Sequence, residues 1–368
     1  MKRRDFLGAA TASTLAVLMN STMTQQANAI NASRVFGGVD ISWLTESETA
    51  GARFFTSNGV RIPPLKMLKK SGVSICRLRV FVDPSHVHGS LASTLELARR
   101  IRRNGLDVML DFHLSDSWAD PGQQRIPASW NAESVETLGA HITEHITNVL
   151  NSLRSEGVTP SWIQVGNEIS NGILWPVGQL QGEDTAAWQR YVSLLNAGIS
   201  AVRTANPESK ILLHTDSGGD AEKTSWWLRQ LDAFGIQKFD AVGVSFYPQW
   251  HGDLKDLERT LGTITRIFAR RVMVVETAYP WTSELRGGEV LNPYAMQLPR
   301  FSLNPQGQAD FVRAVKRLVA NQPNKRGLGV VWWEGLALDA GETRFGMRNS
   351  ALARPSGRAL PALKALGS

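Results

Sequence analysis

The chain has 368 residues, is 42% hydrophobic and carries a single cysteine, Cys76. That length supports a substantial core, in one large domain or two ordinary ones, and the lone thiol excludes an intramolecular disulfide. The formal net charge of +7 falls to +5 when residues 1–29, with three cations and one anion, are set aside; the other basic residues are dispersed, densest at Arg99, Arg100, Arg102 and Arg103, which argues against nucleic acid as a partner.

Residues 1–29, MKRRDFLGAATASTLAVLMNSTMTQQANA, join a basic start, a short apolar stretch and small residues at Ala27 and Ala29, the pattern of an export signal. Arg3-Arg4 followed by Asp5, Phe6 and Leu7 resembles the twin-arginine type. The apolar part is too short to span a bilayer, and no later segment reaches that length. The protein is therefore expected to be exported, periplasmic or secreted, without membrane contact. From residue 30 onward no low-complexity linker or shift in composition marks a boundary, so 30–368 reads as one domain.

Along that domain, short β-rich runs occupy 35–42, 73–81, 107–113, 161–168, 210–215, 239–247, 271–277 and 327–334. Stretches such as TLELARRIRRNG and AAWQRYVSLLNAGISAVRTAN lie between them, with apolar residues at three- and four-residue spacing, which predicts helices. Eight strands each followed by a helix imply parallel strands joined by crossovers, most simply a closed (β/α)8 TIM barrel. An open doubly wound sheet would place a Gly-rich phosphate turn after the first strand, and VFGGVDIS runs instead into WLTESETAG.

In such barrels the chemistry gathers at the carboxyl ends of the strands. Asn167-Glu168 closes the fourth run, Glu276 the seventh and Trp333-Glu334 the eighth; Arg77 and Arg79 lie on the second, His113 ends the third, His214 and Asp216 the fifth, Tyr247 the sixth. Two carboxylates facing each other across a barrel mouth suit glycoside hydrolysis, in which one protonates the departing oxygen and the other meets the sugar carbon. A gap of roughly 5–5.5 Å lets the second attack directly with retention, and roughly 6.5–9.5 Å admits a water and inverts. A lone Glu at a strand end is as readily half of a structural ion pair; its company favours chemistry. Arg77 and Arg79 share one face, so at least one can keep a nucleophilic carboxylate ionised, Tyr247 can donate to the same group, and Asn167 suits a sugar hydroxyl. Trp43, Trp118, Trp130, Trp175, Trp250 and Trp281 follow closely on strand ends, where indoles match the apolar face of a pyranose. A metal centre fits poorly: His86 with His88, and His113 with Asp116 and Asp120, lack recognised zinc spacing. GGD at 218–220 reads as a turn, and no G-x-S-x-G elbow is present.

The stretches GVDISW, RLRVFVDP, DFHLSDSWADPGQQRIPASW, VGNEISNGILWPVG, VGVSFYPQW, VVETAYPW and VVWWEG, spread from about residue 37 to 335, resemble glycoside hydrolase family 53, the endo-β-1,4-galactanases of the clan of retaining (β/α)8 hydrolases. The resemblance implies that Glu168 is the acid/base and Glu276 the nucleophile, with Asn167 at the sugar 2-hydroxyl. It implies that Arg79 and Tyr247 position Glu276, and that Asp40, His113, Trp118, Asp120, Trp175, Asp216, Trp250 and Trp333 line the subsites. The implied substrate is the β-1,4-galactan of pectic type I arabinogalactan, cut internally with retention by a monomer that needs no cofactor for catalysis. Some relatives hold a structural calcium in the loops after strands seven and eight; here 282–304 offers only Glu284 and Glu289. Gly335 replaces the Pro that usually follows Trp-Glu in the family, and HTDSGGD departs from the usual fifth-strand motif, differences that bear on linkage and product length. The alternatives are a related β-glucanase or β-mannanase, and a carbohydrate-binding barrel without turnover.

Overall fold

A computed structural model of the chain describes residues 35–130, 134–284, 290–295, 298, 300–338 and 348–368. The expected export signal and Glu289 lie outside these residues. Phe36–Ser368 forms one compact unit. Its core is eight parallel strands, β1 (Phe36–Asp40), β2 (Ile75–Val80), β3 (Asp107–Phe112), β4 (Trp162–Val165), β5 (Lys210–Thr215), β6 (Ala241–Phe246), β7 (Val272–Thr277) and β8 (Gly327–Trp332). Each pairs with its neighbours in sequence and β8 returns to β1, with Phe36 opposite Gly329, so the sheet closes into the expected (β/α)8 barrel.

The crossover helices are α1 (Pro64–Lys70), α2 (Leu91–Arg103), α3 (Val135–Ser155), α4 (Thr185–Ala205), α5 (Ala221–Ala233), α6 (Leu254–Gly262), α7 (Pro305–Ala320) and α8 (Pro361–Gly367). Ser90, Ser134, Asp184, Asp220, Asp253 and Asn304 start α2 to α7, each accepting a hydrogen bond from a first-turn backbone N–H. Such caps fix where each loop above the barrel ends and its helix begins. Among the described residues, no helix is long and apolar enough to cross a membrane.

The lumen is layered. Ile75, Met109, Trp162, Leu212, Ala241, Met273 and Val331 pack as one apolar cluster around the strand starts. Two residues further along several strands the inward position turns polar: Arg77 follows Ile75, Asp111 follows Met109, Gln164 follows Trp162 and His214 follows Leu212, all buried. The apolar layer is a floor, and the polar layer is the base on which the mouth is built.

Several predicted runs extend past their strands, and in two of them the overshoot carries a carboxylate into a turn. β4 stops at Val165, and Gly166 (φ 82°) and Glu168 (φ 47°) take left-handed backbone conformations, so Asn167-Glu168 forms a turn above the strand rather than its end. β8 stops at Trp332, and Glu334 (φ 46°) again turns left-handed. Few non-glycine residues adopt this conformation without an outside constraint.

Candidate active site

A cleft of about 780 Å³ opens at the carboxyl ends of the strands, lined among others by Glu168, Glu276, Asn167, Arg79, His113, Asp120, Asp216 and Tyr247. Its wall is a run of edge-to-face aromatic rings. Trp43 meets Trp118 at 6.1 Å, Trp118 meets Trp333 at 6.3 Å, Trp333 meets Tyr247 at 5.9 Å and Tyr247 meets Trp250 at 5.3 Å. Trp250, at the outer end, remains 54% exposed.

Glu276 reaches the cleft through a bulge. Val244 of β6 faces Val274 of β7, but the next pair is Ser245 with Glu276, so Val275 is an extra residue. Strict alternation from Met273 and Val275, both in the apolar floor, would aim Glu276 outward at the helices. The bulge aims it inward. There its Oε1 lies 2.7 Å from Arg77 Nη2, and Tyr247 donates to its Oε2 at 3.1 Å.

Arg77 is the cation at the centre of the polar layer. Its Nη1 donates to Asp40 Oδ2 at 3.0 Å; its Nη2 lies 2.7 Å from Asp111 Oδ2, 3.2 Å from Gln164 Oε1 and 3.1 Å from Asn167 Oδ1. One guanidinium thus serves three buried carboxylates, an arrangement stable only while the charges remain paired. His113 receives the Ala119 N–H at Nδ1 (3.1 Å) and approaches Asp111 Oδ2 through Nε2 at 3.0 Å. Burial holds His113 below its ordinary pKa against the pull of Asp111. Burial likewise pushes Asp111 up, but the Arg77 charge and His113 outweigh it and bring the carboxyl down to about 2.

Glu168 has a different shell. Ser245 donates to its Oε1 at 2.6 Å, and its own N–H donates to His214 Nδ1 at 3.3 Å. His214 Nε2 lies 2.8 Å from Ser245 Oγ, and burial with Arg77 nearby keeps His214 neutral, well below its ordinary pKa. Neutral His214 with Nδ1 accepting carries its proton on Nε2 and donates to Ser245. Gln124, from the loop after β3, ties the turn down, donating to the carbonyl of Asn167 at 2.8 Å. Burial first, and then the Glu276 charge, hold the Glu168 carboxyl well above the ordinary range, with only the Ser245 hydroxyl opposing them directly. Burial raises Glu276 too, but Arg77 and the Tyr247 hydroxyl counteract it. The two carboxyls are therefore driven apart, with Glu276 ionising first.

Several predicted residues stand elsewhere. Arg79 lines the cleft but does not position Glu276: its Nη2 is 2.7 Å from Glu334 Oε1 and its guanidinium lies 4.2 Å from the Trp118 ring centre. Arg77, one layer deeper and level with Asp40 across the sheet, takes that role. Asp40 is fully buried beneath the cleft, bonded to Arg77 and the Ser42 hydroxyl, and is absent from the lining. Trp175 is absent from the lining as well, its indole donating to Asn171 O at 3.2 Å. Trp130 is buried and stacks on His141, and Trp281 donates to Arg348 O; both anchor loops away from the cleft. His86 and His88 stack at 3.7 Å behind Trp43, and no group of three ligand-type side chains suited to a metal occurs among the described residues.

Ser245, Gln164 and Asp111 are functional neighbours not singled out from the sequence. Ser245 and Asp111 each sit on an inward position two residues from one that was, Tyr247 and His113, and that period was the available signal; no such neighbour marks Gln164.

This geometry has close counterparts. The chain is 31% identical to an arabinogalactan endo-beta-1,4-galactanase of Cellvibrio japonicus (89% of this chain, 85% of the relative) and 33% identical to an endo-beta-1,4-galactanase of Bacillus subtilis (81% and 69%). Among solved structures it matches the GH53 catalytic domain of Ignisphaera aggregans with a TM-score of 0.83 and 31% identity, covering 91% of this chain and 96% of that one. Fungal beta-1,4-galactanase structures follow at 0.80 and 29%, covering 90% and 98%. The glycosyl hydrolase family 53 model spans residues 36–366, from the first strand to the last helix and so through every side chain of the cleft, and the chain belongs to that family.

Proposed function

We propose that the protein is a retaining endo-hydrolase of β-1,4-galactosidic bonds in type I arabinogalactan, with Glu276 as nucleophile and Glu168 as acid/base. The unequal shells of the two carboxyls carry this reading: Glu276 has a cation and a phenol, whereas Glu168 has one hydroxyl and no cation. Over a window of pH the first is a carboxylate and the second an acid. Glu168 then gives its proton to the glycosidic oxygen as that bond breaks, while a Glu276 oxygen bonds to the anomeric carbon. In the second half, Glu168, now a carboxylate, takes a proton from water as the water oxygen displaces Glu276, and both groups return to their starting states.

Asn167 fits the sugar 2-hydroxyl through its amide N–H. Its Oδ1 already accepts from Arg77 and Gln164, and Nδ2 gives one hydrogen to Ala119 O at 2.8 Å, leaving the other for the ligand. Arg79, His113, Trp118, Asp120, Asp216, Trp250 and Trp333 serve as the walls of the subsites, all lining the cleft. The open trough and the exposed Trp250 suit an internal cut in a polymer. Residues 1–29 are read as an export signal removed from a monomeric enzyme, to be checked by the N-terminal sequence and mass of the exported protein.

Linear galactan is the test substrate. New reducing ends of initially β configuration, and a loss of roughly 10³-fold or more in rate for Glu276→Ala, the scale found when other covalent nucleophiles are removed, are expected. Initial α products, or an undiminished Glu276→Ala rate, would overturn the assignment.

A further inference from the structure

The closed end of the barrel carries a concentration of charge that the mechanism does not use. Three consecutive loops there, before β6, β7 and β8, contain Lys238, Arg266, Arg270, Arg271, Lys325 and Arg326. The loops touch: Val242 N donates to Arg271 O, Val272 N to Arg326 O, both at 2.9 Å, and Arg326 Nε to Ala269 O at 3.0 Å. Because Val272 pairs with Gly327, the Arg270-Arg271 and Lys325-Arg326 doublets stand side by side.

Both doublets are presented by backbone that ordinary residues avoid. Ala269 (φ 52°), Asn324 (φ 54°) and Lys325 (φ 54°) are left-handed, and α6 runs into a π-helical turn, Thr263–Ile267, that ends beside them. Acids neutralise only one of these six cations. Asp232 pairs with Arg270 and Asp240 with Arg203, while no carboxylate among the described residues reaches Lys238, Arg266, Arg271, Lys325 or Arg326. By contrast, the run that is densest in sequence is largely cancelled: Arg99 meets Glu156, Arg100 meets Glu48 and Arg102 meets Asp107.

We propose that this closed-end face docks an acidic polysaccharide, a polyuronate. Charge spread over three exposed loops fits an extended chain with a carboxylate on each sugar. Phe239 is buried under Arg270 (4.4 Å), so it offers no ring for a stacked base. Ile267 is the single large apolar side chain exposed there among the described residues, too little to seat the face in a bilayer. The inference rests on the proposed galactanase reading: galactan is a neutral branch on an acidic pectic backbone, so a cationic base would hold the enzyme on that backbone while the mouth remains open to the branches.

The full chain and its Arg271→Glu/Lys325→Glu variant are run through native gels containing polygalacturonate or neutral galactan, at low and high salt. The parent is expected to be retarded by polygalacturonate at low salt and released at high salt, with affinity lowered about tenfold or more in the variant, the scale of one or two lost cation contacts. Turnover of soluble neutral galactan should be unchanged. Equal retardation of the variant, or displacement from polygalacturonate by phosphatidylglycerol vesicles or duplex DNA as readily as by free polyuronate, overturns the proposal. Retardation with no galactan cleavage would remove the reading of the mouth and leave this face standing; cleavage without retardation would do the reverse.

Discussion

The unequal shells of the two glutamates predict that two small substitutions move different limbs of the pH profile. Tyr247→Phe removes the 3.1 Å hydrogen bond to Glu276 Oε2 and leaves Arg77 in place. A hydrogen bond to a charged group is worth about 1.5–3 kcal/mol, and one pKa unit corresponds to about 1.4 kcal/mol. Losing a bond of that size, which favours the carboxylate, therefore raises the Glu276 pKa. Since the proposed nucleophile must be ionised, the acid limb of kcat/KM, which reports the free enzyme, moves to higher pH. Ser245→Ala removes the 2.6 Å bond to Glu168. That bond also favours the carboxylate, so its loss raises the Glu168 pKa, and the alkaline limb, where the acid is lost, moves up. The assay is a set of initial rates on a soluble galactan across the bell for parent and both variants. An acid limb that stays in place for Tyr247→Phe, or a Tyr247→Phe shift confined to the alkaline limb, would refute the division of roles.

Arg77→Met leaves Asp40, Asp111 and Glu276 buried without their cation; unfolding in denaturant should report a loss of about 3–5 kcal/mol, as for other buried pairs broken on one side. Glu334 pairs with Arg79 and is pushed up to about 8 by burial and Asp40 despite that pairing. Glu334→Gln, which keeps an acceptor for Arg79, should therefore be nearly silent below that pH, whereas Glu334→Ala should raise KM more than it lowers kcat by loosening the Arg79 support of Trp118. Gly218→Ala would set a methyl 2.0 Å from the Ser245 carbonyl oxygen; about 1–3 kcal/mol of overpacking is expected, and the pH profile should show the displaced Ser245 as a moved alkaline limb.

Much of this architecture is legible from residue order. All eight strands fall within the β-rich runs, because buried parallel strands are continuous in apolar and β-branched residues. The carboxylates at 168 and 276 stand out because each ends such a run. What the sequence conceals is depth and local departure from periodicity. Arg77 and Arg79 share a face, but only three dimensions reveal that Arg77 lies level with Asp40 and is drawn to Glu276, while Arg79 stands higher and meets Glu334. The Val275 bulge leaves no mark in VMVVET, although without it Glu276 would face the helices. Tryptophans gave a mixed signal for a related reason. A position shortly after a strand end puts Trp43, Trp118 and Trp250 on the rim, yet loop paths take Trp130, Trp175 and Trp281 off it.

The layered lumen explains why one cation can serve so many acids without leaving the site inert. Arg77 sits below the cleft, outside its lining, so its charge acts upward on Glu276 through a 2.7 Å contact. Asp40 and Asp111 hold it there and share its charge. Sharing weakens the pull on Glu276, whose pKa burial still raises, so its carboxylate is not locked into an inert ion pair. As the proposed nucleophile, Glu276 bound to Arg77 alone would be more acidic and less willing to leave the cation for carbon. Glu168, set on a left-handed turn above β4, is kept from that cation and takes its hydrogen bond from Ser245 instead. The spacing of two inward layers, and not the carboxylates by themselves, separates the surroundings of Glu168 from those of Glu276, as the proposed division of roles requires.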